Sequence, residues 1–489
     1  MTKKGMNVDN LRFTPRLKII NDAQIARIHG ATLDVLEKTG VQITHKRALE
    51  ALSGIGARVS GNRVRIPAHL VEKAIASAPS RIRLGNRAGE TALTLGDRRS
   101  WFGPSLDCIH WQDPQTEERS RFTSEHCAKA ASLAEVLENF TWTMIIGMAD
   151  DYPQEAADKV IIRKVLENST KPLVFCCNNM ESVKATYEMA LLAQGGKEVF
   201  DEAPLVVHYS EPISPLLYYD PALEKIIYCA EKRIPLINFP APQCGGTAPA
   251  TLAGNVVQGS AESLSGLVLH QAINPGAPFI YGAYTTVMNM RSSIFSYGAP
   301  ELSVMVGALA QMAQYYKLPF FGTGGCTDAK FPDPQAAIEA TQQCLTSAYV
   351  GSGLVHDCAA WIDHGSTVSP TYMVMVNEIL SNVRVMMEGL DVSDESLAAS
   401  VIDKVGPGGN YLKERHTLDN FKKVFYSDLF DRSNMDAWER DGKKTFADRL
   451  REKTLRLMSR KTPPLPADVL KEYDKMQATW TQDPKFKTV

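Results

Sequence analysis

The stretch PLVVHYS at residues 204–210 decides the fold, because it is one of several short apolar segments that precede a helix-forming stretch. The same pattern recurs in LVFCCN (173–178), PLINFP (235–240) and PFIYGAY (278–284). Apolar residues fill these segments without strict alternation, which is typical of strands in a parallel sheet buried on both faces. The segments therefore predict a chain of beta–alpha units.

Outward from this stretch, further segments of the same kind begin near residues 102, 141, 318 and 353, and the starts lie 31 to 43 residues apart. Each interval accommodates a strand, a crossover helix and two loops. Eight such units predict an α/β fold, the (β/α)8 TIM barrel, in which helices surround eight parallel strands. A doubly wound sheet is the alternative, because a strand count from one sequence errs by one or two.

Helix starts are visible between the predicted strands. Pro300-Glu301 places proline and an acidic residue in a first turn, and Asp333-Pro334 combines a capping residue with proline. Both pairs are typical of helix N-termini. They predict helices over 300–316 and 333–350.

The chain outside the repeat predicts two further regions. The first 100 residues mix amphipathic helices with short strand-like pieces, and the last 100 are charged and helical, with one helix expected over 421–429. The predicted domains are an N-terminal α+β cap at 1–100 that covers the barrel floor, a catalytic barrel at 101–389 and a C-terminal helical extension at 390–489.

Composition excludes several classes of protein. The 489 residues contain 53 Lys and Arg against 55 Asp and Glu, a net charge of −2, so the basic excess of a nucleic-acid binder is missing. No stretch approaches the roughly 20 apolar residues of a membrane helix, and the first residues lack the apolar core of a secretory signal. The nine cysteines are irregularly spaced without a CxxC pair, which favours reduced thiols. We therefore expect a cytoplasmic protein without nucleic-acid or membrane partners.

Aromatic side chains recur at the strand ends, where the chemistry of a barrel of this kind lies. Basic residues are sparse there, and an aromatic pocket of low charge suits an organic cation through cation–π attraction. Ordinary packing of core or rim is the alternative for any single ring. The candidate binding residues are Trp101, Phe102, Tyr209, Phe239, Tyr281, Tyr284 and Trp361.

Three other strand-end features carry candidate chemistry. Glu211 follows a strand and either faces a cationic substrate, acts as an acid or base, or caps its loop. The pair His356-x-Cys358 supplies two zinc ligands or, in the reading we favour, a histidine hydrogen-bonded inside the barrel mouth. The glycine-rich stretch 322–325 lacks phosphate-loop spacing, so its glycines are expected to allow the close approach of another backbone or a bulky ligand.

The residues at these positions give the chain a resemblance to the trimethylamine:corrinoid methyltransferase family. The motifs that carry it are HYSEPISPL (208–216), SYGAPE (296–301), FGTGGCTDAK (321–330) and VGPGGNYLKERHTLDNF (405–421), and it covers the whole chain. The resemblance implies a (β/α)8 barrel that moves a methyl group from a methylated amine to the Co(I) of a separate corrinoid protein. The corrinoid (cobalamin) is then supplied by that partner, and no cofactor is bound tightly in this chain.

One departure from the family pattern narrows the expected substrate. The archaeal trimethylamine enzymes carry a pyrrolysine, whereas this chain has none, and Gly325 or Cys326 lies nearest the missing side chain. The chain therefore resembles the non-pyrrolysine branch and is most similar to glycine betaine methyltransferases, which release dimethylglycine. Proline betaine, carnitine and choline are alternative substrates, and a non-catalytic quaternary-amine binding protein on the same fold is the alternative from another class.

The resemblance also assigns roles to polar residues. Glu211, Gly325 and Cys326 become the candidate catalytic residues, with no metal site expected. Arg291, Lys330 and His356 are candidates for holding a substrate carboxylate. A homo-oligomer is expected because such barrels usually associate.

Overall fold

The computed structural model of the chain describes residues 14–481 and shows a mixed α/β fold, as the repeat predicts. Eight short central strands follow one another along the chain, and buried residues dominate them. They are β1 Ser100–Phe102, β2 Thr143–Met144, β3 Leu173–Phe175, β4 Val206–Ser210, β5 Leu236–Asn238, β6 Phe279–Tyr281, β7 Phe321–Thr323 and β8 Gly353–His356.

Parallel pairing joins the central strands into two sheets. One sheet has the order β6-β5-β4-β3-β2, and the other has the order β7-β8-β1. A parallel bridge joins Tyr281 to Phe320 just before β7, and a second joins Phe102 to Phe140 just before β2. Each edge of one sheet therefore lies beside an edge of the other.

A helix follows each central strand. The predicted helix starts are confirmed, since a helix begins at Pro300 and the Asp333 side chain accepts a hydrogen bond from the Ala336 amide at 3.0 Å. The helices are α1 Ser124–Val136, α2 Gln154–Asn168, α3 Met180–Gln194, α4 Asp220–Lys232, α5 Leu252–Ile273, α6 Pro300–Tyr316, α7 Pro334–Val350 and α8 Pro370–Glu388, with the short helix Lys197–Glu202 after α3.

The N-terminal region combines helices with short antiparallel strands, as expected. Its hairpin lies at the amino ends of the central strands, where the Gly85 amide donates to Pro204 and the Arg87 amide donates to Thr170. The elements are helices Asp22–Asp34, Lys46–Gly54 and Ala68–Ser77, the π-helical turn Val35–Thr39, strands Val41–Ile43, Arg58–Ser60 and Arg63–Arg65, and the hairpin Ile82–Gly85 with Thr91–Leu95.

The C-terminal region is helical, but the helix predicted over 421–429 is wrong. Only the 3-10 turn Phe421–Lys423 forms, because the Ser427 hydroxyl accepts from the Leu429 and Phe430 amides and so competes with helical bonding. The helices are Asp394–Leu397, Ala399–Val405, Arg415–Asn420, Met435–Arg440, Phe446–Met458 and Ala467–Thr481.

Short strands beyond the carboxyl ends of the central strands complete the structure. They pair in small sheets of three or four strands, and one of them, Leu217–Tyr218, joins the N-terminal sheet. Within residues 14–481, no helix has the length and apolar character needed to cross a membrane. These strands are His110–Gln112, Arg119–Arg121, Leu217–Tyr218, Gln243–Cys244, Thr286–Asn289, Ile294–Ser296, Trp361–Ile362 and Thr367–Val368.

Candidate active site

The segments that follow β1 and β8 meet at the carboxyl ends of the central strands. The Asp357 amide donates to the Pro104 carbonyl oxygen at 3.2 Å, and the Cys358 amide donates to Gly103 at 3.3 Å. Asp107 and Asp357 both adopt left-handed backbone, with φ of 63° and 62°. This conformation is uncommon outside glycine, and aspartate tolerates it better than most residues. The contact places two carboxylates at the same end of the strands.

An aromatic cluster lies beside these carboxylates. The Trp361 ring lies 4.6 Å from Tyr297 and 6.0 Å from Tyr284 between centroids, and it is nearly parallel to Tyr284. His356 joins the cluster, with its ring 5.3 Å from that of Tyr284. Such ring faces attract cations. The aromatic cluster consists of Tyr209, Phe239, Tyr284, Tyr297 and Trp361.

A cavity of about 600 Å³ adjoins the aromatic cluster at Tyr209. Asp107 and Glu211 line it, and water in the cavity reaches both side chains. The Tyr209 hydroxyl donates to Glu211, and the Cys176 thiol lies 3.8 Å from the Asp107 carboxylate. The cavity therefore has an acidic wall that continues into the aromatic cluster.

Asp357 is fully buried without a regular hydrogen bond to either carboxylate oxygen. The Nδ1 atom of His356 lies 3.0 Å from one oxygen, although the geometry is not that of a hydrogen bond. The indole nitrogen of Trp361 also lacks a partner. Since buried polar groups are nearly always paired, these atoms indicate a position that a polar or charged ligand completes.

Loss of hydration makes all three carboxyl groups harder to ionise, since Asp357 is fully buried and the cavity walls surround Asp107 and Glu211, whose side chains are exposed inside the cavity. It is the largest cause that raises the pKa of Asp107 to about 8, and the charges of Glu211 and Asp357 contribute. Burial also raises the pKa of Glu211, although the Tyr209 hydroxyl opposes this. It raises the pKa of Asp357 against the opposing effects of His356 and of the Tyr284 hydroxyl. A cation at this site favours the ionised form of each group.

The glycine-rich segment after β7 packs against the segment after β8, as predicted. Gly325 has φ of 90°, and a β-carbon there would lie 2.7 Å from the Cys358 α-carbon. The Cys326 thiol lies 3.7 Å from the Tyr284 hydroxyl, and burial raises the thiol pKa well above its usual value. Cys326 is therefore a neutral thiol at the edge of the aromatic cluster.

Five candidates lie outside this site. Tyr281 points toward α5, where its hydroxyl is 2.6 Å from the hydroxyl of Ser260. Arg291 is exposed on the turn between two short strands, and the Lys330 ammonium contacts the Asp328 carbonyl oxygen and the His364 ring. Trp101 and Phe102 line a different cavity, one shared with α8. The structure thus brings neither predicted basic side chain to the aromatic cluster.

Sequence reasoning missed three residues that the structure places at the site. Asp107 and Asp357 stand one to five residues beyond central strands, within segments already singled out, and Tyr297 lies inside the motif SYGAPE. The position of Asp107 and Asp357 in the sequence could have indicated them, because each follows a predicted buried strand. Nothing in the sequence indicated that their backbone is left-handed.

His356 and Cys358 each have a contact within the protein. The Nε2 atom of His356 lies 2.8 Å from the Thr323 hydroxyl, and the Cys358 thiol lies 3.1 Å from the Val355 carbonyl oxygen. Among the residues that the structure describes, no group of three or more His, Cys, Asp or Glu side chains is arranged to hold a metal ion.

Comparison with known proteins places the chain among amine methyltransferases. It is 34% identical over 454 residues to trimethylamine methyltransferase MttB of Desulfitobacterium hafniense (strain DSM 10664 / DCB-2), covering 92% of this chain and 91% of that protein. It is 30% identical over 430 residues to a glycine betaine methyltransferase of Desulfitobacterium hafniense (strain Y51), covering 87% and 89%.

The crystal structure of the Methanosarcina barkeri monomethylamine methyltransferase MtmB aligns with 92% of this chain and 96% of that one. The TM-score is 0.46 and the identity 12%, a likeness too weak to decide the fold. The family model of the trimethylamine methyltransferases matches residues 2–481. The chain therefore belongs to the trimethylamine methyltransferase family.

Proposed function

We propose that this chain moves a methyl group from a quaternary amine to the corrinoid of a separate protein. The observation that carries the proposal is Asp357, a buried carboxylate without a regular hydrogen-bond partner beside five aromatic rings, in a chain of this family. A quaternary ammonium group balances the negative charge of the carboxylate, although it has no N–H to donate, and packs its methyl groups on the ring faces.

The chemistry of a quaternary amine suits the residues at this site. Its nitrogen already carries the positive charge, so displacement at a methyl carbon releases a neutral tertiary amine without acid or covalent activation. When bound in its carrier, the corrinoid supplies the cobalt nucleophile that accepts the methyl group. The residues of this chain then orient the ammonium and exclude water. The neutral thiol of Cys326 shapes the pocket and forms no bond to the substrate.

Glycine betaine is the reference substrate, because a relative carries that name and the chain lacks pyrrolysine. Loss of one methyl group converts it to dimethylglycine. Carnitine and choline share its trimethylammonium head, and proline betaine has a dimethylated quaternary nitrogen in its ring, so the aromatic cluster alone does not select among them. The polar groups around the cavity make that selection.

The fold belongs to the same proposal. We take the eight central strands to close into a (β/α)8 barrel. The parallel bridges that link the edges of the two sheets support the closure, and so does the helix after each strand. The site then lies at the carboxyl ends of the strands, where barrel enzymes carry their chemistry.

The test mixes the chain with a Co(I) corrinoid protein and one amine at a time and follows the corrinoid absorption spectrum. Rapid conversion to the methylated spectrum with a quaternary amine, and not with its tertiary product, is the expected result. Amine binding without methylation of any tested corrinoid protein would instead favour a non-catalytic binding protein. Metal analysis of the same sample tests the alternative that His356 and Cys358 bind zinc. Stoichiometric zinc would support that alternative.

A further inference from the structure

The cavity beside the aromatic cluster carries more acidic than basic groups near its inner end. Asp107 and Glu211 line it, and Asp357 lies close enough for its charge to raise the pKa of both. Asp158 lines the same cavity, with its carboxylate 2.7 Å from the Asn178 amide. The inner end is therefore suited to positive charge.

The basic side chains that line this cavity have other contacts. The Arg121 side chain is mostly exposed, and its guanidinium lies 3.7 Å from the Asp150 carboxylate. The Lys225 ammonium donates to the Cys177 carbonyl oxygen, and its charge favours the ionised forms of Glu211 and Asp158. Arg291 and Lys330, which the sequence offered for a substrate carboxylate, lie elsewhere. A substrate carboxylate beside Asp107 and Glu211 thus meets more acidic than basic groups.

We propose that the site selects quaternary ammonium ions that carry no carboxylate, such as choline or tetramethylammonium, over zwitterions such as glycine betaine. The inference rests on the proposed function and replaces its reference substrate, glycine betaine, with a quaternary ammonium ion that has no carboxylate. Asp357 and the aromatic cluster hold the ammonium, while Asp107 and Glu211 face the rest of the ligand across the cavity. A hydroxyl donates to these carboxylates, whereas a second carboxylate is repelled.

The protonation of the acidic groups makes the affinity for each ligand depend on pH. Because a cation binds best to ionised carboxylates, its affinity rises with pH up to the Asp107 pKa of about 8 and levels off above it. The affinity for a zwitterion rises less over the same interval, because the repulsion of its carboxylate offsets the attraction of its ammonium. The groups that face Asp107 are Glu211, Asp357, Cys176 and Asp158, and those that face Glu211 also include Tyr209, His356 and Lys225.

Calorimetric titration of the full chain with four probes tests the selection directly. The probes are choline, tetramethylammonium, glycine betaine and 3,3-dimethylbutan-1-ol, the neutral isostere of choline. At pH 8 we expect choline to bind about tenfold or more tightly than glycine betaine or the isostere. Between pH 6 and pH 8 the choline affinity should rise while that of the isostere stays constant.

Two variants and one control locate the effect. Asp107→Asn and Glu211→Gln should each lower choline affinity about tenfold and flatten its pH dependence, while glycine betaine binds equally well or better. The control is Glu155→Gln, which removes an exposed charge from the first turn of α2 and should change neither ligand. Using two variants keeps the test valid if one of them fails to fold.

The outcomes separate this inference from the proposed function. Tighter binding of glycine betaine than of choline, lost in Lys225→Met, overturns the inference even if betaine methylates the corrinoid protein. Choline selection without methylation of any corrinoid protein supports the inference and contradicts the proposed function. Equal affinity for choline and its neutral isostere also overturns the inference.

Discussion

Tyr281 and Tyr284 stand three residues apart, both buried, yet they belong to two different regions. The Tyr281 hydroxyl pairs with Ser260 on α5, and its ring packs against Tyr316 at 5.6 Å. Tyr284 stacks on Trp361 in the aromatic cluster, beside the Asp357 carboxylate, which lacks a regular hydrogen-bond partner. The difference teaches that a buried ring at a strand end marks a ligand site only where polar groups nearby are left unsatisfied.

Asp357→Asn should give the largest effect, because it removes the charge that sets the aromatic cluster apart from the Tyr281 region. Amine affinity should fall about 100-fold, as expected for a unit charge at about 6 Å with intermediate dielectric screening. Thermal unfolding should show only a small change in stability, because the cost of burying the carboxylate offsets its 3.0 Å contact with His356. Unchanged affinity would contradict the role of Asp357.

Trp361→Leu and Trp101→Leu form a matched pair across the molecule. Trp361 lies in the aromatic cluster, whereas the Trp101 indole donates to the Thr94 carbonyl oxygen at 3.2 Å, away from the cluster. Losing one cation–π contact should weaken quaternary-amine binding about 3- to 30-fold in the first variant only. Equal losses of affinity in the two variants, measured by titration calorimetry, would show that the cluster is not the binding surface.

Tyr281→Phe should affect stability and leave binding intact. Removing the hydroxyl leaves Ser260 without its partner, at a cost of about 1–3 kcal/mol in the free energy of unfolding. Amine affinity should stay within about twofold, because the ring lies outside the aromatic cluster. Denaturant unfolding and ligand titration of one sample separate the two effects. Unchanged stability with lost amine binding would show that Tyr281 belongs to the ligand site.

Arg291→Ala should have the smallest effect. Its side chain is exposed on the turn that joins two short strands, and exposed charges contribute little to distant sites. Turnover of glycine betaine should change less than about twofold. A large rise in KM for glycine betaine, with choline unaffected, would restore the sequence-based assignment of Arg291 to a substrate carboxylate.

The succession of strands and helices was predictable because periodicity and capping are local signals. The apolar segments mark the central strands, and Asp333-Pro334 marks the start of α7. The helix predicted over 421–429 is absent for a local reason as well, because the Ser427 hydroxyl accepts hydrogen bonds from the Leu429 and Phe430 amides. The division into three domains stays a prediction.

The direction of each side chain was not predictable from the same signals. Alternate residues of a strand face opposite sides, and a continuous apolar segment hides which side Tyr281 takes. Asp107 and Asp357 meet through contacts between loops more than 200 residues apart in sequence. Such contacts follow from tertiary packing and leave no local pattern.

The crystal structure of the chain with tetramethylammonium bound at pH 8 tests the central claim most directly. The account predicts the ammonium between the aromatic cluster and the carboxylates of Asp107, Glu211 and Asp357, within about 6 Å of at least one ring centroid. An ammonium bound beside Tyr281, or on the exposed turn that carries Arg291, would contradict it.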